Sequence, residues 1–187
     1  MIRINYDGLE KNIMTAVNSV NSIFKSAYFY NAIKEKTRFD MANIPAAWIA
    51  DLIESADLDI NIECYYSLHP FSKTIACEMP EKENTIYINK WNINKSQGAI
   101  CNAIMHQCIH TVNKLTPQYD FGHGDSNLDG KENTAPLWIA DLAERIATNK
   151  NINLEVKETE EICDYSSLTS VLLQVKLSNA TWLQTYR

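Results

Sequence analysis

Apolar positions set out the elements of this chain before any single residue suggests a chemistry. Ile13, Val17, Val20, Ile23 and Phe24 recur at helical spacing, which predicts a long amphipathic helix over residues 9–27. The aromatic and basic stretch 28–39 is expected to continue helical. Pro45 suits a first helical turn, and Trp48, Ile49, Leu52 and Ile53 carry a further helix to about residue 56. The period then changes to two. Ile60-Asn61-Ile62-Glu63-Cys64-Tyr65 and Lys73-Thr74-Ile75-Ala76-Cys77-Glu78 alternate, and Thr85-Ile86-Tyr87-Ile88-Asn89 is rich in β-formers. Three strands of a mostly antiparallel sheet are expected, joined by the His69-Pro70 loop and a turn at 80–84. His69, beside a proline, reads as an ordinary loop histidine.

Helical period returns after Ser96, which can cap a helix over 97–114. A long loop rich in Gly, Asp and Asn fills 116–133, and loops of that length inside a domain tend to carry function. Asn133 or Thr134 can cap a next helix that places Pro136 in its first turn and runs to about 148. A short strand at 153–157, a helix at 167–177 and a tail with Trp182 and Tyr186 complete the expected elements. Trp48-Ile49-Ala50-Asp51-Leu52 recurs as Trp138-Ile139-Ala140-Asp141-Leu142, a period too long for a solenoid.

Size and composition narrow the picture. A chain of 187 residues, 45% of them apolar, suits one domain over 1–187 with a packed core. Net charge is −6 with no basic stripe, so nucleic acid is not an expected partner. Cysteines at 64, 77, 101, 108 and 163 are odd in number and form no CxxC pair, which points to reduced thiols. The N-terminus has no secretory h-region and no run is long enough to span a membrane. The expected location is therefore cytoplasmic with no membrane partner, leaderless export as an effector remaining open.

Candidate chemistry sits on the 97–114 helix. On a helical wheel Ile100, Cys101, Ile104, Met105, Cys108, Ile109, Val112 and Leu115 share one half. His106 and His110 lie on the other, roughly 40° apart, beside Asn102, Ala103 and Asn113. Two imidazoles one turn apart on a non-core face are a zinc-ligand spacing. His123, between two glycines, is the preferred third ligand, since glycine lets backbone approach a metal closely. Asp125 is the alternative ligand or a carboxylate that orients an imidazole. Glu132 and Glu144 are weaker candidates, Glu144 mattering if the following helix supplies the third ligand.

With His106-Gln107-Cys108-Ile109-His110 and Gly122-His123-Gly124, the chain resembles the zincin class of zinc metallopeptidases, which carry HExxH, with a flavour of the SprT-like proteases. The resemblance spans about 60–147. It implies an α+β, minimal zincin-like domain: N-terminal helices, a small mostly antiparallel three-stranded sheet, the HxxxH helix and further C-terminal helices. It implies Zn2+ as cofactor, a protein or peptide substrate, and the strand at 84–89 as the edge that an extended substrate joins. Tyr119, or Tyr87, would be the oxyanion donor.

Gln107 stands where the family has the glutamate that takes a proton from water and passes it to the leaving amine. An amide cannot accept that proton, and such catalysis is worth about 10²–10⁴-fold. The expectation is a zinc endopeptidase in a disabled Glu-to-Gln form, the intact remainder of the site favouring a deliberate change that traps substrate or stops self-cleavage. A natural pseudopeptidase or peptide-binding module is the alternative.

Overall fold

The computed structural model describes residues 1–68, 71–79, 82–122 and 131–148. They fall within one compact unit, Met1–Lys150. The expected elements at 153–157 and 167–177, together with Cys163, Trp182, Tyr186 and His69, lie outside the described residues.

Strand β1 (Ile2–Asn5) opens the chain and is followed by α1 (Lys11–Ile23), α2 (Ala27–Lys34) and α3 (Ala46–Ser55). Then come β2 (Leu58–Tyr65), β3 (Ala76–Glu78), β4 (Thr85–Asn89), a 3-10 turn (Lys90–Asn92), α4 (Gln97–Leu115) and α5 (Ala135–Thr148). The single helix expected over 9–27 stops at Ile23. A corner follows, held by the Tyr30 hydroxyl donating to the Phe24 carbonyl at 2.9 Å, and a separate α2 begins. Among the described residues, no helix is long and apolar enough to cross a membrane.

Among the described residues the sheet is mixed and four-stranded, in the order β1–β2–β4–β3, which corrects the mostly antiparallel three-stranded expectation. β1 pairs with β2 in parallel, and β2 with β4 in parallel; β3 alone runs antiparallel, against β4. The chain returns from β1 to β2 through three helices, and a connection of that length permits parallel pairing. The short connection between β3 and β4 gives the antiparallel pair that a hairpin requires. Strand β1 escaped the sequence reading although Ile2 and Ile4 alternate with exposed Arg3 and Asn5. Four residues are too few to show a period unaided.

A second correction concerns the edge. Strand β4 is hydrogen-bonded on both sides and all five of its residues are buried, so it cannot receive a further strand. The antiparallel edge is β3 instead. Sequence order misleads here because β3 folds out past β4. Only Ala76–Glu78 of the expected 73–78 strand is extended and paired.

Ile60, Ile62, Ile86 and Ile88 meet Ile13, Val20, Ile49, Ile100, Ile104 and Ile139 in one core. Burying one such side chain fully is worth about 1.5–3 kcal/mol. Helix α4 is capped by Ser96, whose Oγ accepts from the Ala99 N–H at 3.2 Å. Its apolar half is buried as the wheel predicts, except that the final Leu115 is 54% exposed. The two Trp-Ile-Ala-Asp-Leu copies occupy unlike places. Trp48 is exposed beside Tyr119, whereas Trp138 is half-buried between Phe39 and Lys36.

Candidate metal centre

Helix α4 carries the histidine pair, and its faces decide what each side chain meets. Helices α4 and α5 pack antiparallel, as the pairs Gly98 with Thr148 and Asn102 with Glu144 indicate. Asn102, His106 and His110 are spaced by four, so they share a stripe. The stripe begins at α5, where the Asn102 amide donates to Glu144 Oε2 at 3.2 Å. Both histidines are half-buried. Their rings stand 4.7 Å apart at 74°, and the two Nε2 atoms converge to 3.1 Å.

That separation has two chemical readings. One imidazole can donate an N–H to the other, or both can face one cation. Two nitrogens at about 2.0–2.1 Å from a tetrahedral zinc stand about 3.3 Å apart, so the observed pair needs only a small adjustment. In atom type and spacing the pair is compatible with zinc, as it is with an N–H donated from one imidazole to the other.

The third expected ligand, His123, and its alternative Asp125 lie outside the described residues. Among the described residues no group of three or more His, Cys, Asp or Glu could hold a metal ion. Glu144 is occupied one turn before His106, with Asn102, and Glu132 is exposed.

What the structure does describe is the backbone leading to His123, and here α4 acts again. Asn113, one turn beyond His110 and half-buried, donates to the Tyr119 carbonyl at 2.8 Å and accepts from the Phe121 N–H at 3.1 Å. The Asn43 side chain accepts from the Asp120 N–H at 2.8 Å, and the Asn43 N–H donates to the Asp120 carbonyl at 3.0 Å. Gly122 has φ +74°, and a Cβ there would collide with the Asp40 carbonyl and the Met41–Ala42 backbone. Only glycine meets both demands. The far end of the loop is pinned to the same place: Asp40 N–H donates to the Asn133 carbonyl, and the Lys36 ammonium to Asn133 Oδ1. Ala135 N–H closes the loop on the Phe121 carbonyl at 3.3 Å. The chain thus enters position 123 from a clasped point close to the histidine stripe.

Gln107 lies roughly 100° round the helix from His106 and 60° from His110. It shares its face with Thr111 and Lys114, and both of those reach the carboxylate of Glu78 on the edge strand β3. The half-buried Gln107 therefore faces the side of α4 that carries β3, while the histidines occupy the neighbouring stripe. A cleft of about 420 Å³ continues along that side, lined by Glu78, Met79, Thr85, Thr111 and Lys114 among others.

Tyr119 is half-buried in the loop after α4, its ring edge-on to Trp48 at 6.5 Å. Tyr87 is buried in the interior strand and packs edge-on against Tyr65 at 6.4 Å. Cys101 and Cys108 are buried on the core side of α4. Burial pushes the Cys101 thiol up to about 12 and that of Cys108 upward as well, and both pack as small hydrophobes in the core.

Sequence reasoning gave no role to Asn43 or Glu78. It placed Asn113 on the histidine side of the wheel without a role, and it read Gly122 as making room for a metal, whereas the structure shows the Asp40–Ala42 backbone packed against it. Comparison of the chain with protein-family models, with curated proteins and with solved structures finds no match.

Proposed function

We propose that this chain is a zinc-binding domain of the metallopeptidase type whose Gln107 form lacks the proton-transfer step. The observation that carries the reading is the convergence of His106 Nε2 and His110 Nε2 on a polar stripe beside the clasped loop. His106 and His110 would hold the ion, and His123 is the residue that the clasp at Asn113 and Gly122 favours as their partner. Zinc, when bound, supplies a Lewis acid that polarises a carbonyl and lowers the pKa of water. Edge strand β3 would receive an extended peptide through backbone hydrogen bonds, which lays the substrate along the Gln107 side of α4. Gln107 can orient water there through its amide but offers no base. Tyr119 remains the proposed oxyanion donor.

Elemental analysis of the purified protein is expected to find one zinc per chain, lost in His106→Ala and His110→Ala. Gln107→Glu is expected to raise cleavage of an unfolded protein substrate by about 10²-fold or more, abolished by a chelator. No metal in the unsubstituted protein would sink the proposal. Zinc present, with a Gln107→Glu form that stays inactive on a broad panel, would shift it to the second reading, a peptide-binding module. Gln107 itself favours that reading, because an amide can grip a peptide and cannot catalyse its hydrolysis.

A further inference from the structure

Beside the second half of β2 the sheet has a place that no strand fills. β1 pairs with β2 only from Ile2 opposite Leu58 to Asn5 opposite Asn61, whereas β2 continues to Tyr65 against β4. β1 is the outermost strand on that side, so past Asn61 no described strand pairs with β2 there. Backbone direction says what this leaves. The Asn61 N–H donates to the Asn84 carbonyl at 2.9 Å, just before β4, so odd-numbered residues of β2 turn their N–H and C=O toward β4. Even-numbered residues turn theirs toward β1, because successive residues of a strand bond to opposite sides. The Ile62 carbonyl and both the N–H and the carbonyl of Cys64 therefore point into the gap.

Neighbouring side chains fix the walls of this gap. After Asn5 the chain swings off the sheet, and the Tyr6 ring folds back over Gly8, where a Cβ would collide with it. The Tyr6 hydroxyl donates to Glu10, which also accepts from the Lys90 ammonium at 2.7 Å. The same hydroxyl lies 3.6 Å from the Cys64 sulfur. Residues 6–10 are thus tied both to β2 and to the turn after β4. Between them runs a cleft of about 480 Å³, lined by Asn5, Asp7, Glu10, Ile62, Glu63 and Cys64 among others. The outer side of β1 is treated differently. Asn21 plugs it, its Oδ1 accepting from the Ile4 N–H and its amide donating to the Ile4 carbonyl, each at 2.9 Å. An open stretch of edge beside a plugged one is a template for an incoming strand.

Charge selects the occupant. The lining carboxylates are Asp7, Glu10 and Glu63, against the ammonium of Lys90. Glu10 is taken by Lys90, and Glu63 by Lys82 at 2.6 Å. Asp7 is exposed and makes no ion pair among the described residues. An anionic ligand would be repelled by these walls, while a cationic one finds in Asp7 a partner not already engaged. Backbone groups in a row fit the main chain of an extended peptide.

We propose that the gap beside Ile62 and Cys64 receives an extended peptide segment bearing a lysine or arginine, which adds to β2 in line with β1 and sets its cation against Asp7. So few backbone groups make a short ladder, and the contact is weak and reversible. The gap lies on the opposite side of β2 from β4 and β3, and it is independent of the zinc reading.

Amide hydrogen exchange followed by NMR tests it, with a capped heptapeptide of alternating valine and lysine as the probe. In the free protein the Cys64 amide is expected to exchange readily. Protection already present there would overturn the proposal, since the chain's own residues would then fill the gap. At a peptide concentration ten times Kd, exchange at Cys64 should slow about tenfold. The same peptide with its amides N-methylated should give no protection, and a valine–glutamate peptide should bind more weakly. Asp7→Asn should weaken binding of the lysine peptide about two- to fivefold, the range of an exposed ion pair. Because Asp7 is exposed, the fold of that variant, checked by circular dichroism, should be unchanged. No protection by the lysine peptide overturns the proposal, as does binding that neither the glutamate peptide nor Asp7→Asn weakens. So does protection confined to Ala76 and Glu78, which would put the peptide on β3 instead.

Discussion

Individual side chains in this protein act mainly through the one or two partners that fix them. His106 and His110 each give a half-buried imidazole to the same point, so neither can be read alone. Glu10 shows the same logic away from the candidate site. Its carboxylate accepts first from the Lys90 ammonium and then from the Tyr6 hydroxyl, and these bonds hold its pKa down at about 2 against an ordinary 4.5. The Tyr6 hydroxyl, desolvated and bonded to Glu10, is pushed up and stays protonated. A carboxylate depressed on folding adds stability that is complete above pH 4.5 and is lost as pH falls toward 2. Chemical denaturation of the unsubstituted protein should therefore show a falling midpoint across that window. In Glu10→Gln the fall should be visibly shallower. Equal slopes in the two proteins would remove Glu10 as its source.

Elements join these local pairs to one another. Helix α4 serves the core with one half, α5 and the histidine stripe with a second face, and β3 with a third. Its last turns also hold the loop through Asn113. Asn113→Ala would break two hydrogen bonds to half-buried backbone, which should destabilise the protein by roughly 1–3 kcal/mol. If the proposed site includes His123, it should also weaken zinc affinity by roughly 10–100-fold, the usual effect of losing a group that positions a ligand. Competition with a chromogenic chelator reads the second effect separately from the first. A loss of stability with unchanged zinc affinity would mean that the loop supplies no ligand and that His123 is not part of the site.

At the scale of the whole molecule, the proposed zinc would join α4 to the loop between α4 and α5. Ligands that bind only the folded state stabilise it by about 2.7 kcal/mol at a hundred times the dissociation constant. For a chain of this size that corresponds to a rise in Tm of roughly 5–10 °C. Differential scanning fluorimetry should show the rise with zinc and its reversal by a chelator, and His110→Ala should show neither.

Much of this was readable from local pattern. A helix announces its buried face through spacing of three and four, and α4 buries Ile100, Ile104, Met105, Cys108 and Ile109 accordingly. The same periodicity turned His106 and His110 off the core, and Ser96 marked where the helix begins. Each of these depends on residues within a turn of one another. What depends on residues far apart in the chain was left to the tertiary structure. Backbone pairing carries no residue code strong enough to say that β1 joins β2, that β4 is interior, or that β3 is the edge. Gly122 is required by the Asp40–Ala42 backbone, 80 or so residues before it, and Asn113 matters because Phe121 happens to return beside it.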